Sequence, residues 1–392
     1  MFCKKKFFFP ILFLLSLHHI HAQVIWDKTY TWSYADDVEQ LIETTDSAYF
    51  VMGNYHYMKL SSDGDTLFNS PPSNMYTYYY NACAALPDGG VVLGGVANQL
   101  AFITILDRKG NVERTKIFSD FQNYAVNNLV VVEDQIYAGV TNFLSEKAIK
   151  AIWKLDMDLD SSWTSSQSGI VSRMFFHPSD QLVALFADGN IIRLDPSSGK
   201  TMSQKKTFKG NVNHYTSSPT VFVEQNGAYH FLLNPNNLVK ISAQDDSTSS
   251  YEFPGNSRAF RGFVAQSNGY AFLSKDYAQW YFDWTDLNFN NLGSVQFNVT
   301  YPKSTACLIQ DKKGDFIFGG SAQVGTLVPL VLKYSIPGIV TSLSEEKAAI
   351  KPKQVAKVYT LMGQEIAPNQ VANGFYIYRY DDGSSQKVLR TE

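Results

Sequence analysis

Read for its apolar and polar positions, the chain repeats one short phrase, a strand-like apolar run usually preceded by a turn and often closed by glycine. The phrase starts at Tyr49 (YFVMG), Val91 (VVLGG), Ile136 (IYAG), Leu182 (LVALF), Tyr229 (YHFLL), Tyr270 (YAFLS) and Phe316 (FIFGG). Successive starts lie 42, 45, 46, 47, 41 and 46 residues apart, the period of a four-stranded propeller blade. The fold class this predicts is all-β: a seven-bladed β-propeller followed by a small C-terminal β-module. Six or eight blades follow if the glycine-poor fifth phrase is misread.

The order of parts within a repeat is legible. A second apolar run follows each phrase, at Tyr57 to Leu60, Phe102 to Leu106, Ile152 to Leu155, Ile191 to Leu194, Leu238 to Ile241, Trp280 to Trp284 and Val331 to Tyr334. Several end in turns such as Ser62-Asp63-Gly64 or Asp107-Arg108-Lys109-Gly110, where Gly supplies positive φ and Asp bonds its own backbone. Outer strands with alternating polar residues come next, as in Val112 to Phe118 and Met202 to Phe208. Stretches upstream of the phrase, such as Val38 to Glu43, Asn128 to Val132 and Arg173 to Phe176, are expected to line the channel. The seventh repeat has no outer strand of its own, whereas Val24 to Tyr30 looks like an outer strand without a repeat. Pairing the two would close the ring and protect its free edges.

Beyond Ile336 the pattern stops at Pro337-Gly338, and a polar stretch leads to a compact segment. The expected organisation is a signal peptide over 1–22, a propeller over 23–336, a linker over 337–354 and a β-module over 355–392. In the module, Ala356 to Leu361, Phe375 to Tyr380 and Gln386 to Leu389 read as strands, with turns at Met362 to Glu365, Asn373-Gly374 and Asp382-Gly383.

These residues carry a resemblance. The order Val358-Tyr359-Thr360-Leu361-Met362-Gly363-Gln364-Glu365-Ile366, then Asn373-Gly374-Phe375-Tyr376-Ile377-Tyr378-Arg379, then Gly383 and Lys387-Val388-Leu389-Arg390 resembles the C-terminal sorting domain of the type IX secretion system of Bacteroidetes. The family's Pro-Asn-Pro segment upstream is absent, with Lys351-Pro352-Lys353 near its place. The resemblance implies passage across the outer membrane, with cleavage or attachment at the surface. An ordinary small β-module is the other reading. More loosely, Leu86 to Gly95 and Lys313 to Gly320 resemble the repeats of Bacteroidetes surface propellers that carry such a tail.

Composition changes the picture little, and the N-terminus changes it more. Of 392 residues 45% are apolar and 14% aromatic, with 23 Tyr and 27 Phe, which favours strands and fills a large core. Lys4, Lys5 and Lys6 precede an apolar run from Phe7 to Leu17 that is too short to span a bilayer comfortably, and Ile20-His21-Ala22 suits cleavage before Gln23, an uncleaved anchor being the other reading. The net charge of −3 becomes −6 once these three Lys leave, and no basic stripe accompanies it, so no nucleic-acid partner is expected. Cys3 would leave with the leader. Cys83 and Cys307 sit at similar points of non-adjacent repeats, so two buried free thiols are expected.

Candidate chemistry is sparse. Asp156-Met157-Asp158-Leu159-Asp160 spaces its carboxylates like a calcium loop, but it lacks the Gly and has Gln167 at the twelfth position, so it reads as a turn. Ser61 to Thr66 reads as a hairpin turn rather than a sialidase-type Asp-box. His56, His177, His214 and His230 fall in different repeats without metal-ligand spacing, and neither a metal nor a cofactor is expected. Tyr55-His56-Tyr57, Tyr76 to Tyr80 and Tyr277 to Trp284 concentrate rings in or beside connections, where they either stack on sugars or peptides or pack between blades. The Asn298-Val299-Thr300 sequon has little meaning in a bacterial host.

These readings add up to a secreted or outer-surface, non-catalytic binding propeller. Its expected partners are an extracellular protein or glycan and the type IX machinery, and a monomer is expected. A glycan-active hydrolase or lyase, with carboxylates meeting at the channel mouth, is the alternative, and a structural envelope role is a third.

Overall fold

The structure is a computed structural model. It describes residues 23–32, 36–70, 77–142, 144, 148–177, 181–206, 221–223, 228–234, 237–242, 248–252, 259–266, 269–275, 279–297, 302–324, 326–335, 355–360, 365–366, 374–380 and 385–390. The expected leader (1–22) and linker (337–354) lie outside these residues, as do His214, the sequon at 298–300, Tyr76 and Tyr277.

All regular elements among the described residues are strands. β1 (Gln23–Thr29) comes first. Blade 1 is β2 (Gln40–Glu43), β3 (Tyr49–Met52), β4 (Tyr57–Leu60) and β5 (Thr66–Asn69). Blade 2 is β6 (Tyr78–Ala85), β7 (Val91–Ala97), β8 (Leu100–Leu106) and β9 (Val112–Gln122). Blade 3 joins β10 (Tyr124–Val132), β11 (Gln135–Asn142), β13 (Ile152–Leu155) and β14 (Ser161–Thr164). A separate pair, β12 (Ala148–Ile149) and β15 (Ser168–Gly169), is built from its connections. Blade 4 is β16 (Val171–His177), β17 (Gln181–Phe186), β18 (Asn190–Leu194) and β19 (Thr201–Lys206). Blade 5 is β20 (Val221–Val223), β21 (Tyr229–Asn234), β22 (Asn237–Ile241) and β23 (Thr248–Glu252). Blade 6 is β24 (Ala259–Gln266), β25 (Gly269–Lys275), β26 (Trp280–Asp286) and β27 (Asn291–Phe297).

Blade 7 runs β28 (Pro302–Gln310), β29 (Phe316–Val324), β30 (Thr326–Ser335), and its outermost strand is β1. β1 pairs antiparallel with β30, from Gln23 opposite Ser335 to Thr29 opposite Leu330, which is the closure the sequence predicts. Neighbouring blades touch in ring order: β2 with β6, β6 with β10, β10 with β16, β16 with β20, β21 with β24, β24 with β28, and β28 back to β2. The repeat is therefore a seven-bladed β-propeller. The chain forms two compact units, Met1–Val340 and Thr341–Glu392. The second carries a four-stranded antiparallel sheet in the order β32 (Glu365–Ile366), β31 (Val355–Thr360), β33 (Gly374–Tyr380), β34 (Ser385–Arg390).

Position within a blade decides what each strand can be. β3 is buried at all four residues because neighbouring blades cover both its faces, whereas β19 is exposed throughout and ends in Lys205 and Lys206, charges that discourage edge pairing. The core is distributed over the seams. Tyr49, Val51 and Met58 of blade 1 pack with Cys307, Ile317 and Val331 of blade 7, and Phe175 and Val183 of blade 4 with Tyr229 and Phe231 of blade 5. Each such side chain contributes roughly 1.5–3 kcal/mol on burial.

The seams share one direction. The outer strand of each of the first blades reaches onto the third-to-fourth-strand turn of the next blade, and β1 does the same for blade 7. Trp26 Nε1 donates to Ser62 O at 3.1 Å, Lys28 pairs with Asp65 at 2.7 Å, and the Tyr30 hydroxyl donates to Gly64 O at 2.8 Å. Arg114 and Lys116 of β9 pair with Asp158 and Asp160 of blade 3 at 2.9 and 2.8 Å, and Trp163 of β14 donates to Pro196 O of blade 4 at 3.1 Å. Nearer the axis, Lys333 of β30 is 3% exposed and meets Asp311 Oδ2 at 2.8 Å and the Tyr49 hydroxyl of blade 1 at 2.9 Å. Tyr49 in turn donates to Asp311 at 2.6 Å. Lys59 of β4 likewise donates to Gly89 O of blade 2 at 2.8 Å while paired with Asp46 at 2.7 Å.

Candidate functional site

The inner strands break register at one recurring point. The irregularity falls between Tyr80 and Ala82 in β6, Val126 and Asn128 in β10, Val171 and Arg173 in β16, Phe260 and Gly262 in β24, and Lys303 and Cys307 in β28. In blade 1 the N–H of Glu39 bonds Met52 O while Gln40 stands opposite the same Met52, so two residues again face one. Such bulges unpair a residue and re-aim side chains.

The two residues of the bulge do different work. In blades 1 and 3 the second one holds the next blade: Gln40 accepts from Cys83 N–H at 2.8 Å and donates to Cys83 O at 3.2 Å, and Asn128 donates to Val171 O at 2.8 Å. Inner-edge backbone groups that no strand covers are satisfied this way. The first one, in blades 1 to 4, is polar each time: Glu39, Asn81, Asn127 and Ser172. Asn81 Nδ2 donates to Asn127 Oδ1 at 3.1 Å, which links blades 2 and 3 at the channel wall.

A knot of buried polar groups shapes the adjoining connection. Asp36, 4% exposed, accepts from the N–H groups of Asp37 (2.9 Å), Asn54 (3.1 Å) and Tyr55 (2.8 Å), and its Oδ2 lies 3.4 Å from His56 Nδ1. The His56 ring stacks on Trp32 at 5.4 Å. Gly53 is required here, since a Cβ would stand 2.5 Å from Asp36 Oδ2 and 2.6 Å from Trp32 Cζ3. Asn54 Nδ2 then donates to Glu39 Oε1 at 3.1 Å, and Asn54 O accepts from Tyr80 N–H of blade 2 at 2.7 Å. With the loop so fixed, Tyr55 meets Tyr79 edge to face, centroids 5.3 Å apart at 89°, and Tyr79 stays 37% exposed. Desolvation, with the nearby Glu39, Tyr55 and Asp36, pushes the Tyr79 hydroxyl up to about 12, so it is a neutral donor across the ordinary pH range.

The aromatic clusters of the sequence therefore divide. His56, Tyr57, Tyr80, Trp280 and Trp284 are buried, while Tyr55 and Tyr79 come together at the rim. Glu39, Asn54, Asn81 and Asn127 were not singled out by sequence. An Asn in an inner strand carries no periodic signal, and only the repeated bulge marks it.

The other sequence candidates are committed to structure. Asp156 Oδ1 accepts from the N–H groups of Asp158 (3.0 Å) and Asp160 (2.8 Å), and those two carboxylates pair with Arg114 and Lys116. Asp156 to Asp160 is a turn. Ser61 Oγ closes its own turn on the N–H groups of Asp63 and Asp65 at 3.2 and 3.1 Å. His56, His177 and His230 lie in blades 1, 4 and 5, and His230 faces the Tyr270 hydroxyl of blade 6 at 3.5 Å. Among the described residues no group of three or more His, Cys, Asp or Glu is placed to hold a metal ion. Cys83 and Cys307 are buried and free, and burial pushes both thiols well up. An apolar cavity between blades 6 and 7, lined by Leu273, Trp280, Phe297 and Phe318, measures ≈ 20 Å³, room for about one water.

No family model matches the chain, and no curated protein matches it. Solved structures do, among 1146 matching chains. The WD40 β-propeller domain of Doa1 superposes with a TM-score of 0.58 over 81% of this chain and 97% of that one, at 12% identity. At that identity the likeness is one of fold, and it places this chain among the β-propellers.

Proposed function

We propose that the protein is an exported, non-catalytic binding propeller whose recognition surface is the channel mouth over blades 1 to 3. The observation that carries this is the rim itself. Exposed Tyr79 and half-buried Tyr55, Glu39, Asn54, Asn81 and Asn127 are held by a rigid polar network, while the turn carboxylates that could have served chemistry are spent on hydrogen bonds and ion pairs. Preorganised polar and aromatic groups on a rigid frame suit recognition. Export is supported by the cationic and apolar N-terminal segment and by the tail's resemblance to type IX sorting domains. On this reading the mature chain starts near Gln23, works as a monomer at or outside the outer membrane, and meets the type IX machinery on the way.

Surface proteolysis of intact cells with intact-mass analysis of each fraction tests the route. A surface or released form beginning at Gln23 and lacking C-terminal residues is expected. A form confined to the cytoplasm with Met1 retained would refute export, and a periplasmic form retaining Glu392 would refute type IX sorting.

A further inference from the structure

We infer that the channel mouth binds a neutral, polyhydroxylated ligand, a sugar unit of a glycan, an assignment that rests on the binding reading above and names its ligand class. Three observations lead there. The polar groups come as hydrogen-bonded pairs, Asn54 Nδ2 with Glu39 Oε1 and Asn81 Nδ2 with Asn127 Oδ1, both at 3.1 Å. A donor and an acceptor side by side at that spacing can be bridged by one pair of neighbouring hydroxyls, whose oxygens both donate and accept. Beside them, Tyr79 offers an exposed ring of the kind that covers the apolar C–H face of a pyranose, and its neutral hydroxyl is a further donor. Finally, the next bulge residue around the wall, Ser172, is 2% exposed with its Oγ unpartnered, so the polar arc has an unmet hydrogen-bonding group deeper in.

The chemistry favours a sugar over a cationic peptide. The Asp36 carboxylate is saturated by three backbone N–H groups and faces His56, and the Glu39 carboxylate already accepts from Asn54. The acids are thus engaged as hydrogen-bond acceptors in an amide-rich setting. A bound sugar would have its hydroxyls on Glu39, Asn54, Asn81 and Asn127 and its ring on Tyr79. No bond is made or broken in this binding.

The test uses the full mature chain against an array of neutral plant, fungal and bacterial glycans, followed by calorimetry and saturation-transfer NMR with the oligosaccharides that bind. Binding of at least one neutral glycan is expected, with affinity reduced about tenfold or more by Tyr79→Ala and by Asn81→Ala, and reduced less by Tyr79→Phe, which keeps the ring and loses only the hydroxyl. Thermal melts of each variant separate lost binding from lost folding. Wherever Tyr79→Ala proves unstable, the Asn127→Ala variant and saturation transfer from the protein's aromatic protons to the sugar's ring protons in the wild type decide the matter. Failure of all glycans to bind, or binding indifferent to these substitutions, overturns the inference. Capture of a lysine-rich peptide at the same residues overturns it in favour of a protein ligand. Since localisation is read separately, a surface-exposed protein without glycan binding refutes the sugar alone, whereas a cytoplasmic protein refutes the export on which the broader reading stands.

Discussion

Replacing Lys333 with Met tests whether the closing seam is held by its buried ion cluster. Lys333 and Asp311 have side chains 3% and 2% exposed, and the ammonium sits 2.8 Å from Asp311 Oδ2, 2.9 Å from the Tyr49 hydroxyl and 3.2 Å from Asp315. Met fills a similar volume but leaves Asp311 as a buried carboxylate facing blade 1 without its cation. Breaking one partner of such a pair costs about 3–5 kcal/mol. At about 2 °C per kcal/mol for a chain of this size, the melting temperature should fall by roughly 6–10 °C. Adding Asp311→Asn removes the stranded charge while the amide oxygen can still accept from Lys313 and Asp315 N–H, both 2.9 Å in the native turn. The double variant should therefore recover more than half of the loss, a coupling that a double-mutant cycle reads directly. Burial alone would raise the Asp311 pKa, but the hydrogen bonds from Lys333 and Tyr49 and the Lys333 charge overcome it, so the carboxyl titrates below its ordinary range. A depressed folded-state value contributes stability above the ordinary carboxylate pKa of about 3.9 and loses it as pH falls further. In Lys333→Met burial acts on Asp311 without the opposing cation, so its carboxyl takes up a proton at higher pH than in the wild type, and the difference between the two should be largest near pH 8 and shrink as the pH falls toward 4. Differential scanning calorimetry across that range is the assay. A melting shift under about 2 °C, or a double variant no better than the single, would show that the cluster does not hold the seam.

Three further outcomes are expected. Removing residues 23–30 deletes the outer strand of blade 7 with its bonds to Ser62, Asp65 and Gly64, and should give an open, protease-sensitive ring; an unchanged limited-proteolysis pattern would contradict the closure. Gly53→Ala forces a Cβ against Asp36, Asp37 and Trp32 and should cost about 1–3 kcal/mol in urea unfolding, with near-ultraviolet circular dichroism reporting the displaced Trp32. Gln40→Ala strands the Cys83 N–H and C=O and should cost about 1–3 kcal/mol, and an effect below 0.5 kcal/mol would mean that water replaces the amide.

Much of the ring was legible because blade periodicity is a property of apolar runs. The seven phrases are the second strands, the second runs are the third strands, and β1 was placed on β30 from the missing outer strand alone. The second runs carry a further signal. The residue before the last of the second run is basic in Tyr57 to Leu60 (Lys59), Ile152 to Leu155 (Lys154), Ile191 to Leu194 (Arg193), Leu238 to Ile241 (Lys240) and Val331 to Tyr334 (Lys333). All five stand opposite the second residue of their phrase, the register position from which Lys59 and Lys333 reach the next blade. A charge inside an apolar run needs a buried partner, and that need was readable without coordinates. The rim was not. Asn54 meets Glu39, and Asn81 meets Asn127 from 46 residues away, only because inner strands bulge and neighbouring blades share a channel wall, and neither condition leaves a trace in local sequence.

The pairing of β1 with β30 also has a mechanical meaning. Gln23, where the strand begins, lies opposite Ser335, where β30 ends, so the two chain ends of the ring sit side by side at one end of the clasp. A load pulling those ends apart concentrates on the Gln23 to Ser335 pair and then on each rung in turn, which is unzipping rather than shear. A ring that resists heat through seven distributed seams would thus yield to tension one hydrogen-bonded pair at a time, at a rate set by its barrier to opening rather than by its equilibrium stability.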